Sequence, residues 1–272
     1  MTESGSTAVG MSPDGDHVGG AREVTEVSVP GAPPRVVHPE WARRMPWLAQ
    51  GVTTRANDGA AFDMGFFGAT PVGETIARWT TLRAAADCPR AVHSRQVHGA
   101  RVAPHDRCAP GLFVGEGADG HVTSTPGLLL TISIADCVPA LLVDAERRAV
   151  GLVHAGWRGA AAGALEAGID ALVDAGSRPG DLLLHLGPAI CGACYEVGPE
   201  VFEALAQEVP AAPSPIDLRD VLRRRAIAAG VLGGHVTTST LCTRCGRGGG
   251  RRFHSHRAGD AERQIAFLGI RA

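Results

Sequence analysis

The chain has 272 residues, 44% of them hydrophobic and only 4% aromatic, so it can bury a sizeable core built from Leu, Val, Ala and Ile as one large domain or two small ones. A formal net charge of −2 gives no electrostatic case for a nucleic-acid partner or an anionic membrane, and no apolar run approaches the roughly 20 residues of a membrane-spanning helix. The start, MTESGSTAVGMSPDGDH, lacks both a basic n-region and an apolar h-region, so a cytoplasmic location is expected.

Residues 1–36 are rich in Gly, Ser, Pro, Asp and Glu without periodicity and are expected to form a flexible tail, with VTEVSV at 24–29 the one segment suited to a short strand. The domain is then placed at 37–272. MPWLAQGVTTR (45–55) reads as a strand, and Ile76, Trp79, Leu82 and Ala86 recur at helical spacing within 73–86. AVHSRQVHGARVAP alternates in β fashion on both sides of Gly99. LLLTISI (128–134), ALLVD (140–144) and AVGLV (149–153) are apolar strand runs, and a helix over 159–175 ends at Gly176 with Pro179 beyond. DLLLHLG (181–187) is a strand, one helix starts near Pro199 and another is capped by Asp217. HVTTST (235–240) and the closing QIAFLGI are strands. Without a regular βαβ beat, this order predicts an α/β (α+β) fold: a single layered domain with a mixed β-sheet flanked by helices.

The chemistry gathers at strand ends. LLLTISIA runs into Asp136 and Cys137, and AVGLV runs into His154, Gly156, Trp157, Arg158 and Gly159. His98 closes a third β-like run. Two imidazoles and a thiolate leave a tetrahedral zinc with one open position, the pattern of catalytic rather than structural zinc, and such a metal lowers the pKa of bound water to about 7. Each residue alone would more simply be a packing residue at a strand end. Asp119 and Asp136 are possible supporting carboxylates or general bases.

The chain contains no lysine, which excludes Schiff-base and P-loop lysine chemistry and leaves anions to Arg, backbone amides or a metal. Arg158, at a strand-to-helix turn beside Gly159, is placed to meet an anion. Arg257 and Arg263 are further anion contacts. Seven cysteines without a secretion signal argue for reduced thiols. Cys191-Gly-Ala-Cys194 and Cys242-Thr-Arg-Cys245 together could hold a structural zinc, but the gap between them far exceeds the roughly 15–20 residues of zinc ribbons, and no thioredoxin-like context supports CGAC as a redox pair, so the favoured expectation is buried or half-buried thiols lining a core. His254-Ser-His256 reads as a metal pair on a strand edge or as a solvated basic loop.

QVHG (96–99), GADGHVT (117–123), ADCVP (135–139), VHAGWRG (153–159), LGPAICGACYEV (186–197) and LCT with FHSHR and RQIAFLGI (241–270) together resemble the laccase-domain family, formerly called multicopper polyphenol oxidases. That resemblance implies a single α/β domain and a zinc-dependent purine nucleoside phosphorylase, acting on adenosine, inosine, guanosine and methylthioadenosine, with adenosine deaminase activity. It implies His98, Cys137 and His154 as metal ligands and catalytic residues. Its partners are purine nucleosides and phosphate, with Arg55, Arg158 or Arg257 holding the anion, and no nucleic acid or membrane. Zinc is expected in preference to copper, because the four methionines (Met1, Met11, Met45, Met64) lie far upstream of the Cys137–His154 unit and the chain has only one His-x-His pair. The family's Arg-x-Gly-Gly-Val-Ser segment is altered here to Arg55-Ala-Asn-Asp-Gly-Ala-Ala-Phe62, followed by Asp63 where the family has Asn. The alternatives are an amide-bond hydrolase using Cys137 or zinc-bound water, as in cell-wall precursor editing, and a catalytically impaired pseudoenzyme.

Overall fold

A computed structural model describes residues 22–56, 61–66, 70–106, 109–247 and 250–272. In chain order the strands are β1 (Arg22–Val24), β2 (Val27–Val29), β3 (Arg35–Val37), β4 (Leu48–Thr53), β5 (Arg90–Arg95), β6 (Val102–Pro104), β7 (Gly111–Glu116), β8 (Gly120–Thr123), β9 (Leu128–Ile134), β10 (Val138–Asp144), β11 (Ala149–Ala155), β12 (Leu182–Leu186), β13 (Glu196–Val197), β14 (Ser214–Pro215), β15 (Val236–Ser239) and β16 (Gln264–Ile270). The helices are α1 (Pro39–Arg44), α2 (Val72–Ala86), α3 (Trp157–Ala161), α4 (Ala164–Asp174), α5 (Pro199–Ala204) and α6 (Leu218–Ala228). No helix among the described residues is long and apolar enough to cross a membrane.

Two seven-stranded mixed sheets carry the fold. The first runs β1-β15-β12-β10-β11-β8-β6 and the second β2-β3-β4-β16-β9-β5-β7. Their layering follows from the period-2 alternation of side chains along a strand. Leu142 of β10 and Val153 of β11 pack with Leu165, Ile169 and Leu222 of α4 and α6. Their neighbours Leu141, Val143, Val150 and Leu152 instead join Leu130, Ile132, Ala266 and Leu268 from β9 and β16 in the space between the sheets. Leu129 and Phe267, on the far face of the second sheet, pack against Trp79 and Leu82 of α2. The order of layers is therefore helix, sheet, sheet, helix. Strands covered on both faces read as continuous apolar runs, and β10, β11 and β16 are buried along their whole length.

Two expectations need correction. The tail does not extend to residue 36: β1 pairs in parallel with β15 in the first sheet, and β2 and β3 form the edge of the second. Glu26, between them, is buried, with His185 Nε2 at 2.8 Å and the Ser239 hydroxyl donating to it at 2.7 Å. Residues 1–21 lie outside the described residues. The helix expected over 159–175 is two helices, because Gly163 adopts a left-handed φ of 83° that breaks the run after Ala162. Asp217 caps α6 as expected, its carboxylate accepting from the Arg219 N–H at 3.0 Å.

Candidate functional site

The site lies where the chain changes sheets. The turn 135–137 carries the chain from β9 in the second sheet to β10 in the first, and 96–101 carries it from β5 in the second to β6 in the first. Cys137 sits on one crossing and His98 on the other, while His154 sits on β11 opposite Pro139. The ligand atoms of all three lie within 4.8 Å of one another, and the two imidazoles meet edge to face with centroids 4.9 Å apart.

Both crossings hold backbone that non-glycine residues rarely adopt: His98 has a φ of 59° and Asp136 of 95°. Such conformations persist only where surrounding bonds determine them. For His98 the determinant is the fully buried Asp119 carboxylate, which accepts the N–H groups of Val97 (3.1 Å), His98 (2.9 Å) and Gly99 (2.9 Å). For Asp136 it is its own carboxylate, which accepts from the Thr243 hydroxyl at 2.6 Å and the Arg257 N–H at 2.7 Å, together with its carbonyl, which accepts from the Ile190 N–H at 3.0 Å.

Asp119 also accepts from His154 Nδ1 at 2.9 Å. That bond places the ring proton on Nδ1 and leaves Nε2 facing Cys137, the arrangement that orients a metal-binding histidine. Burial opposes charge on the Cys137 thiol, yet the His154 ring and hydrogen bonds from His154 and His98 hold its pKa down, from 9.0 to about 6. Burial likewise opposes charge on His154, and the Cys137 sulfur and the Asp119 carboxylate overcome it, raising the ring from 6.5 to about 9. Gly156 supplies the space: a Cβ there would sit 2.9 Å from Cys137 Sγ and 3.2 Å from His98 Cδ2. A pre-charged thiolate, an oriented imidazole, a second imidazole and a cleared volume beside them fit a zinc ion with one position left for substrate or water.

The group stands between two lobes of a cleft. One, of about 460 Å³, is walled by Asp63, Phe66, His93, Gln96, Ser133 and Arg263. The other, of about 390 Å³, is walled by Trp157, Arg158, Ile190, Tyr195 and Arg257. His98, Cys137 and His256 face both. Arg158 lies over the Trp157 ring at 4.2 Å and Arg257 over the Tyr195 ring at 5.2 Å, so the second lobe offers two guanidinium groups on aromatic supports.

Other residues singled out in the sequence fall elsewhere. Arg55 is not a wall of either lobe: it pairs with Asp260 at 3.1 Å and donates to the Phe253 carbonyl at 3.2 Å, bracing the loop that carries His256 and Arg257. His254 is fully buried while His256 is exposed in the cleft, so FHSHR passes from the core at Phe253–Ser255 to a solvated stretch from His256. Arg158 lies in the first turn of a helix that spans only Trp157–Ala161, so anion attraction there rests on the guanidinium more than on a helix dipole. Met64 is fully buried away from the cleft wall, and Met1 and Met11 lie outside the described residues. Of the altered segment 55–65, residues 57–60 also lie outside them. Asp63 accepts the N–H groups of Gly65 and Arg263, each at 2.9 Å, and so shapes the first lobe. His93, Gln96 and Tyr195 were not singled out in the sequence. Gln96 and Tyr195 lie inside the motifs QVHG and LGPAICGACYEV and His93 inside the run AVHSRQVHGARVAP, and membership of those segments is the one signal that could have found them.

Residues 68–271 match the family model of the multi-copper polyphenol oxidoreductase laccases. The chain belongs to this family. Among curated relatives of this laccase-family chain, the adenosine deaminase RL5, from an unknown prokaryotic organism, is 33% identical over 171 residues, 57% of this chain and 65% of that one. A purine nucleoside phosphorylase of Deinococcus radiodurans is 42% identical over 133 residues, 48% of this chain and 49% of its own. The matches thus span about two-thirds and half of those relatives. The purine nucleoside phosphorylase YlmD of Geobacillus stearothermophilus is 34% identical over 203 residues, covering 67% of this chain and 73% of its own. The YlmD crystal structure superposes with a TM-score of 0.80 at 28% identity, over 91% of this chain and all of that one. The two-sheet mixed α/β fold is shared with it.

Proposed function

We propose that this laccase-family chain is a zinc-dependent purine nucleoside phosphorylase, acting on adenosine, inosine, guanosine or methylthioadenosine, that also deaminates adenosine. The observation that carries this is the His98–Cys137–His154 group at the junction of two lobes, one of which presents Arg158 and Arg257. The names of the relatives support the substrate class. Zinc held by His98, Cys137 and His154 would act as a Lewis acid at that junction and lower the pKa of water there.

In phosphorolysis a phosphate oxygen bonds to C1′ of the ribose as the bond from C1′ to the purine nitrogen breaks, and the purine leaves with a proton. Arg158 and Arg257 neutralise phosphate in the second lobe and hold it for attack. The base then lies in the first lobe, where Phe66 and His93 offer aromatic surface and Gln96 and Ser133 offer polar groups. In deamination, water replaces the amino group at C6 and ammonia departs, and no anion is required. Asp119 serves both reactions by holding His154 and the 97–99 turn in place.

The test is a nucleoside panel assayed for free base with and without phosphate, and for ammonia from adenosine, alongside elemental analysis. Base release that requires phosphate and tracks zinc supports the proposal. A second reading has one observation in its favour: Cys137, His154 and Asp119 are linked in the order of a thiol hydrolase triad. Full amide-hydrolase activity in metal-free protein would favour it.

A further inference from the structure

The two Cys-x-x-Cys pairs, far apart in sequence, meet in space. Ala189 and Cys242 form a parallel bridge, and the Thr243 N–H donates to the Ala189 carbonyl at 3.1 Å. This docks the turn 191–194 against the turn 242–245 and brings all four sulfurs within 4.8 Å of one another. Cys191 and Cys245 Sγ are 3.9 Å apart. Four sulfurs about 2.3 Å from one zinc ion lie about 3.8 Å from each other, so this spacing is that of a mononuclear tetrathiolate and is far longer than an S–S bond. All four are free thiols. The Cys242 sulfur also receives the N–H groups of Cys191 at 3.3 Å and Cys245 at 3.5 Å, donors that stabilise a bound thiolate.

We infer that Cys191, Cys194, Cys242 and Cys245 bind a second, structural zinc ion that braces the wall of the active-site cleft. The donor set is complete in sulfur and leaves no position for substrate, which separates it from the open group at His98, Cys137 and His154. Its place in the fold gives it a task. The segment 189–195 supplies the Ile190 N–H to the Asp136 carbonyl and the Tyr195 wall of the second lobe, and the segment 242–245 supplies the Thr243 hydroxyl to the Asp136 carboxylate. A metal clamping these two turns fixes two of the three contacts around the left-handed Asp136, and so the aim of Cys137 next to it.

The experiment counts zinc in the full-length chain and in variants that remove one group at a time. Wild type should carry about two equivalents, and His98→Ala about one. Cys242→Ser and Cys245→Ser should each also carry about one, with melting temperatures lowered by several degrees, more than in His98→Ala. Because a buried Cys242 change can prevent folding, Cys245, which is exposed, is the second variant. Cobalt loaded into His98→Ala should give the intense visible and sulfur charge-transfer bands of a tetrathiolate, and these should weaken in the His98→Ala, Cys245→Ser double variant. The inference is overturned if His98→Ala holds no zinc, if the remaining metal is iron, if peptide mapping shows these cysteines paired as disulfides, or if Cys245→Ser leaves zinc content and cobalt bands unchanged.

Discussion

The molecule brings together two groups of cysteine and histidine, and they differ in how they are built. His98, Cys137 and His154 come from two sheet crossings and a strand, with mixed nitrogen and sulfur donors, an Asp119 brace and an open cleft on both sides. Cys191, Cys194, Cys242 and Cys245 come from two short turns, all sulfur, with backbone N–H groups as their support. An incomplete donor set facing a cavity suits chemistry, and a complete one suits bracing. The proposed roles separate reactivity from rigidity within one chain, and Asp136 links the two groups, gripped by residues next to the sulfur group and followed directly by Cys137.

Changes at each group should therefore have different signatures. The largest effect is expected from Cys137→Ala, with nucleoside turnover falling on the order of a thousandfold or more while the fold survives, since the cavity costs only about 1 kcal/mol. Steady-state assays and circular dichroism read the two. Asp119→Ala should lose both properties, because three part-buried N–H groups and the buried His154 proton lose their acceptor: about 3 kcal/mol in urea unfolding, with weakened zinc at the open group. A chain beginning at Val36 touches neither group. It removes β1, β2 and the Glu26 partner of His185 and Ser239. It should melt roughly 5–10 °C lower by calorimetry with zinc content kept.

Arg158→Ala should raise the KM for phosphate about tenfold and leave adenosine deamination unchanged, and equal loss of both would assign Arg158 to packing on Trp157. The smallest effect concerns pH in metal-free protein. A depressed Cys137 pKa stabilises the fold fully above 9.0, and that contribution disappears as pH falls through about 6. A raised His154 pKa acts in the opposite sense, present below 6.5 and lost as pH rises through about 9. The ion pair therefore holds between about 6 and about 9. Alkylation of the Cys137 peptide, followed by mass spectrometry, should stay fast down to about pH 6, and His154→Ala should shift that midpoint upward.

The parts legible in the sequence are those where one local rule decides the outcome. LLLTISI and QIAFLGI match β9 and β16 residue for residue, because strands buried between layers must be apolar on both faces. His98, Cys137 and His154 were visible because each ends such a run. β2 lies within VTEVSV, the one segment there suited to a strand, but β1 and the pairing of both into the sheets were not legible, since three-residue edge strands in a Gly- and Pro-rich segment carry almost no pattern. The break at Gly163 was hidden by alanines that suit a helix on either side. The meeting of the cysteine pairs depends on one long-range bridge between Ala189 and Cys242, which spacing within a pair does not encode. Arg55 illustrates the converse: a basic residue in a family motif position turned out to pair with Asp260, a partner defined only by the fold.

The central claim is that nucleoside chemistry depends on a metal at the open group. It is tested most directly by adding zinc back to metal-stripped protein while following base release from inosine in phosphate. The account predicts no turnover without metal, recovery as zinc fills the site, and no recovery at any zinc level in His98→Ala. Full turnover in the stripped protein, or equal recovery in His98→Ala, would contradict it.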